Sequence, residues 1–287
     1  MQTVTEDKSY LTTSTGYPGT TSARFAGIST ADALAPLMAD GWRVAERSVK
    51  GTRFAERVPY LGHVVRLNHP TLPGNSEFRP QLVLKNGNDG TSAFVMMAGI
   101  FRAVCANGMY AGALAASVRV RHVGNSGELA SLILKGAEEV KSYVPRLADQ
   151  VQRWQGIELD SNQRKLMFHL GAAARWGRDV AADKARRSEY ASEVYFRSED
   201  KRADLWRTFN RVQENYVRGY GASIFAGRRY SVRALRNIDA GIRFNRTLWN
   251  IADVAANGKL ADLHLATFTQ GANIHETARD MALALAS

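Results

Sequence analysis

The chain has 287 residues, 45% of them hydrophobic, with a formal net charge of +11 and one cysteine. A chain this long can bury a substantial core in one large domain or two smaller ones. A single cysteine excludes an internal disulfide framework. The charge excess points to a polyanion as partner, either nucleic acid or a membrane surface. The longest apolar stretch, Ala93 to Phe101, is closed by Arg102 and falls well short of the ~20 residues of a membrane-crossing helix. The N-terminal MQTVTEDKSYLTTSTG has no basic region followed by an apolar run, so it does not read as a secretory signal. Cytoplasmic residence is the expectation.

Residues 1–28 are rich in Thr, Ser and Gly, lack sustained periodicity and read as a flexible N-terminal arm. Ser29 or Thr30, followed by Leu34, Leu37 and Met38, predicts a short capped helix that ends at Asp40-Gly41. From Trp42 to about His122 the signals are strand-like. WRVAERSVKG, GHVVRLNHP, RPQLVLKNG and SVRVRHVG are short, Val-rich and bounded by Gly, Pro or Asn. NGNDG, residues 86 to 90, lies between two apolar runs and predicts a hairpin, because Asn, Asp and Gly tolerate positive φ. AFVMMAGIFRAVCANG fits either a strand bulged at Gly99 or a helix capped at Asn107-Gly108. The strand is preferred because residues 81 to 85 need a pairing partner.

After Gly127 the period becomes helical. Leu129, Leu132, Ile133, Gly136, Val140 and Val144 share one face. Asp160 with Gln163 predicts a capping box before RKLMFHLGAAARW. Leu205, Phe209, Val212 and Tyr216 repeat behind Ser198, with Glu199 and Asp200 suited to a first turn. Phe244, Leu248, Ile251 and Ala255 repeat in the same way, ended by Asn257-Gly258. The expected class is α+β: a mostly antiparallel β-rich region over 29–125, then a helical region over 126–287, the two able to form one compact domain.

Catalytic chemistry is hard to find. His63, His69, His122, His169, His264 and His275 lack metal-ligand spacing, so no metal is expected. No phosphate-binding glycine loop, dinucleotide fingerprint or nucleophile elbow is present, and no cofactor or catalytic residue is assigned. Cys105, in an apolar stretch, reads as a small buried hydrophobe. The rival reading is an enzyme pocket around Arg102, Cys105, Asn107 and His122. Asp89 lies in a turn, where Asx chemistry accounts for it.

The basic residues are more informative. Arg43, Arg47, Lys50, Arg53 and Arg57 recur through residues 43 to 57. In SVRVRH, Val118 and Val120 alternate with Arg119 and Arg121, giving one apolar and one basic face. AGRRYSVRALRN supplies Arg228, Arg229, Tyr230, Arg233 and Arg236. Guanidinium groups with an aromatic neighbour suit single-stranded nucleic acid. The expected binding residues are Arg119, Arg121, Arg228, Arg229, Tyr230 and Arg233, with Arg102 as a further candidate.

NGNDGTSA, FRAVCANG and VRVRHVG, with LWRTFNRVQENYVRG at 205 to 219 and RFNRTLWNIADVAA at 243 to 256, resemble the phage/plasmid-like protein family known as domain of unknown function 932. The resemblance covers about residues 40 to 256. It implies a setting on phages, prophages and plasmids, and it carries no catalytic residues. The order of a β-rich half and a helical half is also loosely similar to phage single-strand annealing recombinases, which form rings without nucleotide. The expectation is therefore a single-stranded DNA-binding protein, a homo-oligomer, able to promote annealing or recombination. The alternatives are a protein-binding regulator or anti-host-defence factor, and the enzyme above.

Overall fold

A computed structural model describes residues 7–72, 74, 78–102, 108–110, 117–122, 129–187, 197–219, 222–225 and 228–286; for 102, 108–110, 117, 183–187, 222–225 and 228–231 it describes the backbone alone. The chain divides into two compact units. One comprises residues 1–108 and 115–145, the other 109–114 and 146–287. The division falls inside a long helix, beyond the expected junction at 125/126.

The first unit is built on an antiparallel sheet. Its strands are β1 (Arg43–Val49), β2 (His63–Asn68), β3 (Phe78–Asn86), β4 (Phe94–Arg102) and, after a three-residue β5 (Gly108–Tyr110) that falls mostly to the other unit, β6 (Ser117–Val120). Within this unit they run in the order β1-β2-β3-β4, with β6 on β4. The apolar run after NGNDG is thus a strand. It pairs with β3 through Lys85↔Val95 and on to Phe78↔Arg102. β3 is central and buried on both faces, which is why QLVLK is not a clean alternation.

The register aligns Val65, Leu84, Met96 and Val118 in one row across four strands. Helix α3 (Leu129–Gln155) crosses this row. A Cβ on its Gly136 would lie 2.5 Å from Val118 Cγ2 and 2.8 Å from Met96 Cε, so a larger residue would force these side chains to shift. α3 buries Ile133, Gly136, Ala137, Val140 and Val144. Leu132, expected on that face, is 39% exposed. Ile133, expected on the same face, is fully buried.

Two short helices precede the sheet: α1 (Ser9–Thr12) and α2 (Thr30–Ala39). The Ser29 hydroxyl accepts from the Asp32 amide at 3.2 Å, capping α2 as expected. Asp40 ends the helix and Gly41 follows at φ +101°. Beyond the sheet edge, Lys141 of α3 bridges Asp40 at 2.6 Å and Glu138 at 2.8 Å.

The segment read from composition as an arm is tied to the loop after β3. Asn88 accepts from the Tyr17 amide at its carbonyl, 2.9 Å, and from the Ile28 amide at its side chain, 3.1 Å. Its Nδ2 donates to the Thr13 carbonyl at 2.6 Å. Asn86 Nδ2 donates to the Ile28 carbonyl at 2.7 Å and to Thr30 Oγ1 at 2.9 Å. These side chains act as surrogate backbone partners for a segment that has no ladder of its own.

The second unit is helical: the end of α3, then α4 (Ser161–Trp176), α5 (Arg178–Arg187), α6 (Leu205–Arg218), α7 (Ile238–Ala256), α8 (Leu260–Phe268) and α9 (Ile274–Ala284). A two-stranded hairpin of β7 (Ala222–Phe225) and β8 (Arg228–Ser231) lies between α6 and α7 in sequence. Asp160 and Gln163 form the expected capping box on α4. α6 starts later than the sequence pattern suggested. Ser198–Asp200 is a separate 3-10 turn, and the cap is Asp204, whose carboxylate accepts from the Arg207 amide at 2.9 Å. Asn257 caps α7, with Gly258 at φ +73°. The core is aromatic. Trp154 packs on Trp249 at 4.7 Å, and Trp206 stacks on Phe209 at 5.7 Å. Each such buried ring contributes roughly 1.5–3 kcal/mol.

Candidate nucleic-acid interface

The sheet register sets the direction of the β6 side chains. Met96↔Val118 and Phe94↔Val120 place both valines on the face crossed by α3. Arg119, opposite Val95, projects from the other face, and Arg121 follows in the same phase just past the strand. Both arginines are exposed, and neither has an ion pair among the described residues. Arg66, on the same face as Arg119, differs. It is paired with Glu46 and lies 3.8 Å over the Phe101 ring, so its charge is already used.

The other expected residues are distributed. Arg102 ends β4, seven residues beyond the partner of Arg119, or about 23 Å along an extended strand. Its side chain lies outside the described residues, as do Cys105 and Asn107. In the second unit, Arg228, Arg229 and Tyr230 pair with Phe225, Ile224 and Ser223 on β7. Their side chains are also outside the described set. Arg233 is exposed, and its carbonyl accepts from Arg175 Nη2 at 3.2 Å. Arg236 is exposed as well. Arg119 and Arg121 thus form one group and Arg228 to Arg233 another, on different units.

His122, named for the rival pocket, is enclosed in the first unit. Its ring is buried and stacks on Phe25 at 4.9 Å, and Nδ1–H donates to the Ala26 carbonyl at 3.2 Å. Burial pulls its pKa below the ordinary histidine value, against the hydrogen bond to Ala26. His169 and His264 meet, Nδ1 to Nε2 at 2.9 Å, beside Phe268. Burial lowers His169 to about 4, and His264 adds to the shift. Among the described residues no group of three His, Cys, Asp or Glu could hold a metal.

Sequence pattern missed two features. First, the polar face of α6 is buried: Asn210, Arg211, Glu214 and Asn215 are each nearly inaccessible. Arg197 grips Glu214 through Nε and Nη2 at 3.0 and 2.6 Å. Second, an aromatic patch forms around the basic run at 43 to 57. The Arg53 guanidinium lies 4.8 Å from the Phe54 ring centroid and that of Arg57 5.1 Å. Arg57 also lies 5.4 Å from Tyr17, whose ring meets Tyr60 edge-on at 5.2 Å. The sequence signal was the recurring Arg with Phe54 among them. Tyr17 and Tyr60 arrive only through the fold.

The fold and these side chains define an α+β protein with exposed, unpaired arginines and, among the described residues, no helix long and apolar enough to cross a membrane. The family model of a domain of unknown function, DUF932, matches residues 19–249, and the chain belongs to that family. It is 30% identical over 234 residues to UPF0380 protein YfjQ and to UPF0380 protein YafZ of Escherichia coli (strain K12), covering 81% of this chain and 82% of each of theirs. No solved structure matches the chain.

Proposed function

We propose that this protein binds single-stranded nucleic acid, DNA in a phage or plasmid setting, mainly through arginine contacts to phosphates. The observation that carries the reading is the pair Arg119 and Arg121, exposed in one phase of β6 without a carboxylate partner among the described residues. A chain of net charge +11 that leaves such guanidiniums unpaired presents a positive field to a polyanion. Phosphates would displace counterions and gain charge-assisted hydrogen bonds.

Fluorescence anisotropy tests this with a labelled single strand and a duplex in parallel, from low to moderate salt. The expected result is binding whose logarithm falls linearly with the logarithm of salt, by ~0.7 per phosphate contact on a single strand. The double variant R119Q/R121Q should lose about two contacts' worth of that slope. Affinity that ignores salt, or no binding at low salt, refutes the reading.

A further inference from the structure

The patch around Phe54 has properties that phosphate capture alone does not use. Phe54 is 39% exposed, so part of its ring is open to a ligand. Two exposed guanidiniums, Arg53 and Arg57, lie over that one ring. Like charges sharing a ring repel, and neither is offset by an ion pair among the described residues. Glu56, between them in sequence and exposed, pairs with neither.

The patch is also fixed in place. Phe54 precedes a 3-10 turn, its amide held by Thr52 Oγ1 at 3.1 Å and its carbonyl accepting from the Arg57 amide at 3.2 Å. Asn88 accepts from the Tyr17 amide at 2.9 Å and donates its own amide to the Tyr60 carbonyl at 3.1 Å. The NGNDG loop therefore ties the Tyr17 and Tyr60 backbones together, and Tyr17 lies against Arg57.

We infer that Phe54 is a stacking site for an unpaired base, and that Arg53 and Arg57 take the phosphates on either side. Every base has a π face, so the site is sequence-tolerant, and guanidinium groups on rings add cation–π attraction. A duplex offers no free base face there, so the patch favours single strands. The inference rests on the nucleic-acid reading above but on different residues, so the two can fail separately.

The experiment compares an oligothymidylate with an abasic strand of equal length, against wild type, F54A, F54W and R119Q/R121Q, each first shown to unfold at the wild-type temperature. F54A should bind oligothymidylate about tenfold more weakly. It should leave the abasic affinity and the salt slope unchanged, and F54W should restore binding. A 2-aminopurine base in the strand should be quenched by F54W and not by F54A. If F54A binds oligothymidylate like wild type while R119Q/R121Q binds weakly, the stacking site is wrong and the phosphate reading stands. Equal losses on both strands also overturn stacking. A wild-type protein that binds neither strand overturns both proposals.

Discussion

His63 is the residue through which acid should loosen the first unit. Its ring is buried beside Tyr10, with Nδ1–H donating to the Leu61 carbonyl at 2.8 Å and Nε2 accepting from the Thr30 hydroxyl at 2.8 Å. Thr30 in turn accepts from Asn86 at 2.9 Å, and the neutral ring, accepting at Nε2, completes this chain of bonds. Burial lowers the His63 pKa from 6.5 to about 4, partly offset by the bond to Leu61. Between those values the unfolded chain binds a proton that the folded protein refuses. Stability is therefore complete above pH 6.5 and falls as the pH drops towards 4. The loss attached to this one group is on the order of 3 kcal/mol. The perturbation is H63Q, which cannot titrate. Denaturant unfolding of both proteins at pH 7.5, 5.5 and 4 is the assay. H63Q is expected to be less stable than wild type at pH 7.5 because it packs poorly, with the gap closing by about 3 kcal/mol at pH 4. His169 and the carboxylates titrate in both proteins and cancel in the difference. A gap independent of pH would refute the reasoning.

Other expectations follow from single contacts. Glu214→Ala strips Arg197 of its bidentate partner on a buried helix face and should cost about 3 kcal/mol in chemical denaturation. Glu214→Gln should recover part of that. Asp253 is held near a pKa of about 7, chiefly by burial, with the Gln150 side chain and Arg153 opposing. A carboxyl with a raised folded pKa stabilises fully only below the unfolded value, and the benefit fades as pH rises through 7. D253N should accordingly be more stable than wild type at pH 8, with the advantage gone at pH 4, as read by thermal unfolding at both. Gly136→Ala forces a methyl group against Val118 and Met96 and should destabilise by about 1–3 kcal/mol, despite alanine's better helix propensity. An unchanged melting temperature would show that α3 can lift off the sheet without penalty.

Some of this was legible from short stretches. Val-rich runs punctuated by Gly, Pro and Asn gave β1, β2, β3 and β6. Ser29, Asp160 with Gln163, and Asn257-Gly258 marked helix ends where the caps are found. Asp89 makes the expected Asx turn, its side chain accepting from the Thr91 amide at 2.9 Å. Other signals misled. Ser198 with its two acidic followers looked like the start of α6, but the backbone turns through a 3-10 segment and Asp204 takes that role. Leu132 matched the apolar period of α3 and yet faces outward. The repeat of Leu205, Phe209, Val212 and Tyr216 correctly marked an inner face of α6, and it said nothing about burial of the opposite, polar face.

By itself the sequence determined the class, the order of strands before helices, most caps and the basic phase of β6, because each depends on residues within a turn or two of one another. Tertiary structure decided which polar groups are buried and which distant rings meet. Asn86 and Asn88 look like turn formers until the Thr13, Tyr17, Ile28 and Tyr60 backbones arrive as their partners. Glu214 looks like a solvated helix charge until Arg197 closes on it. Tyr17 and Arg57 are forty residues apart, and only the hydrogen bonds of one loop bring them together. A buried polar group is stable only when its partner is present. The partner's position is a property of the whole fold, which no local pattern encodes.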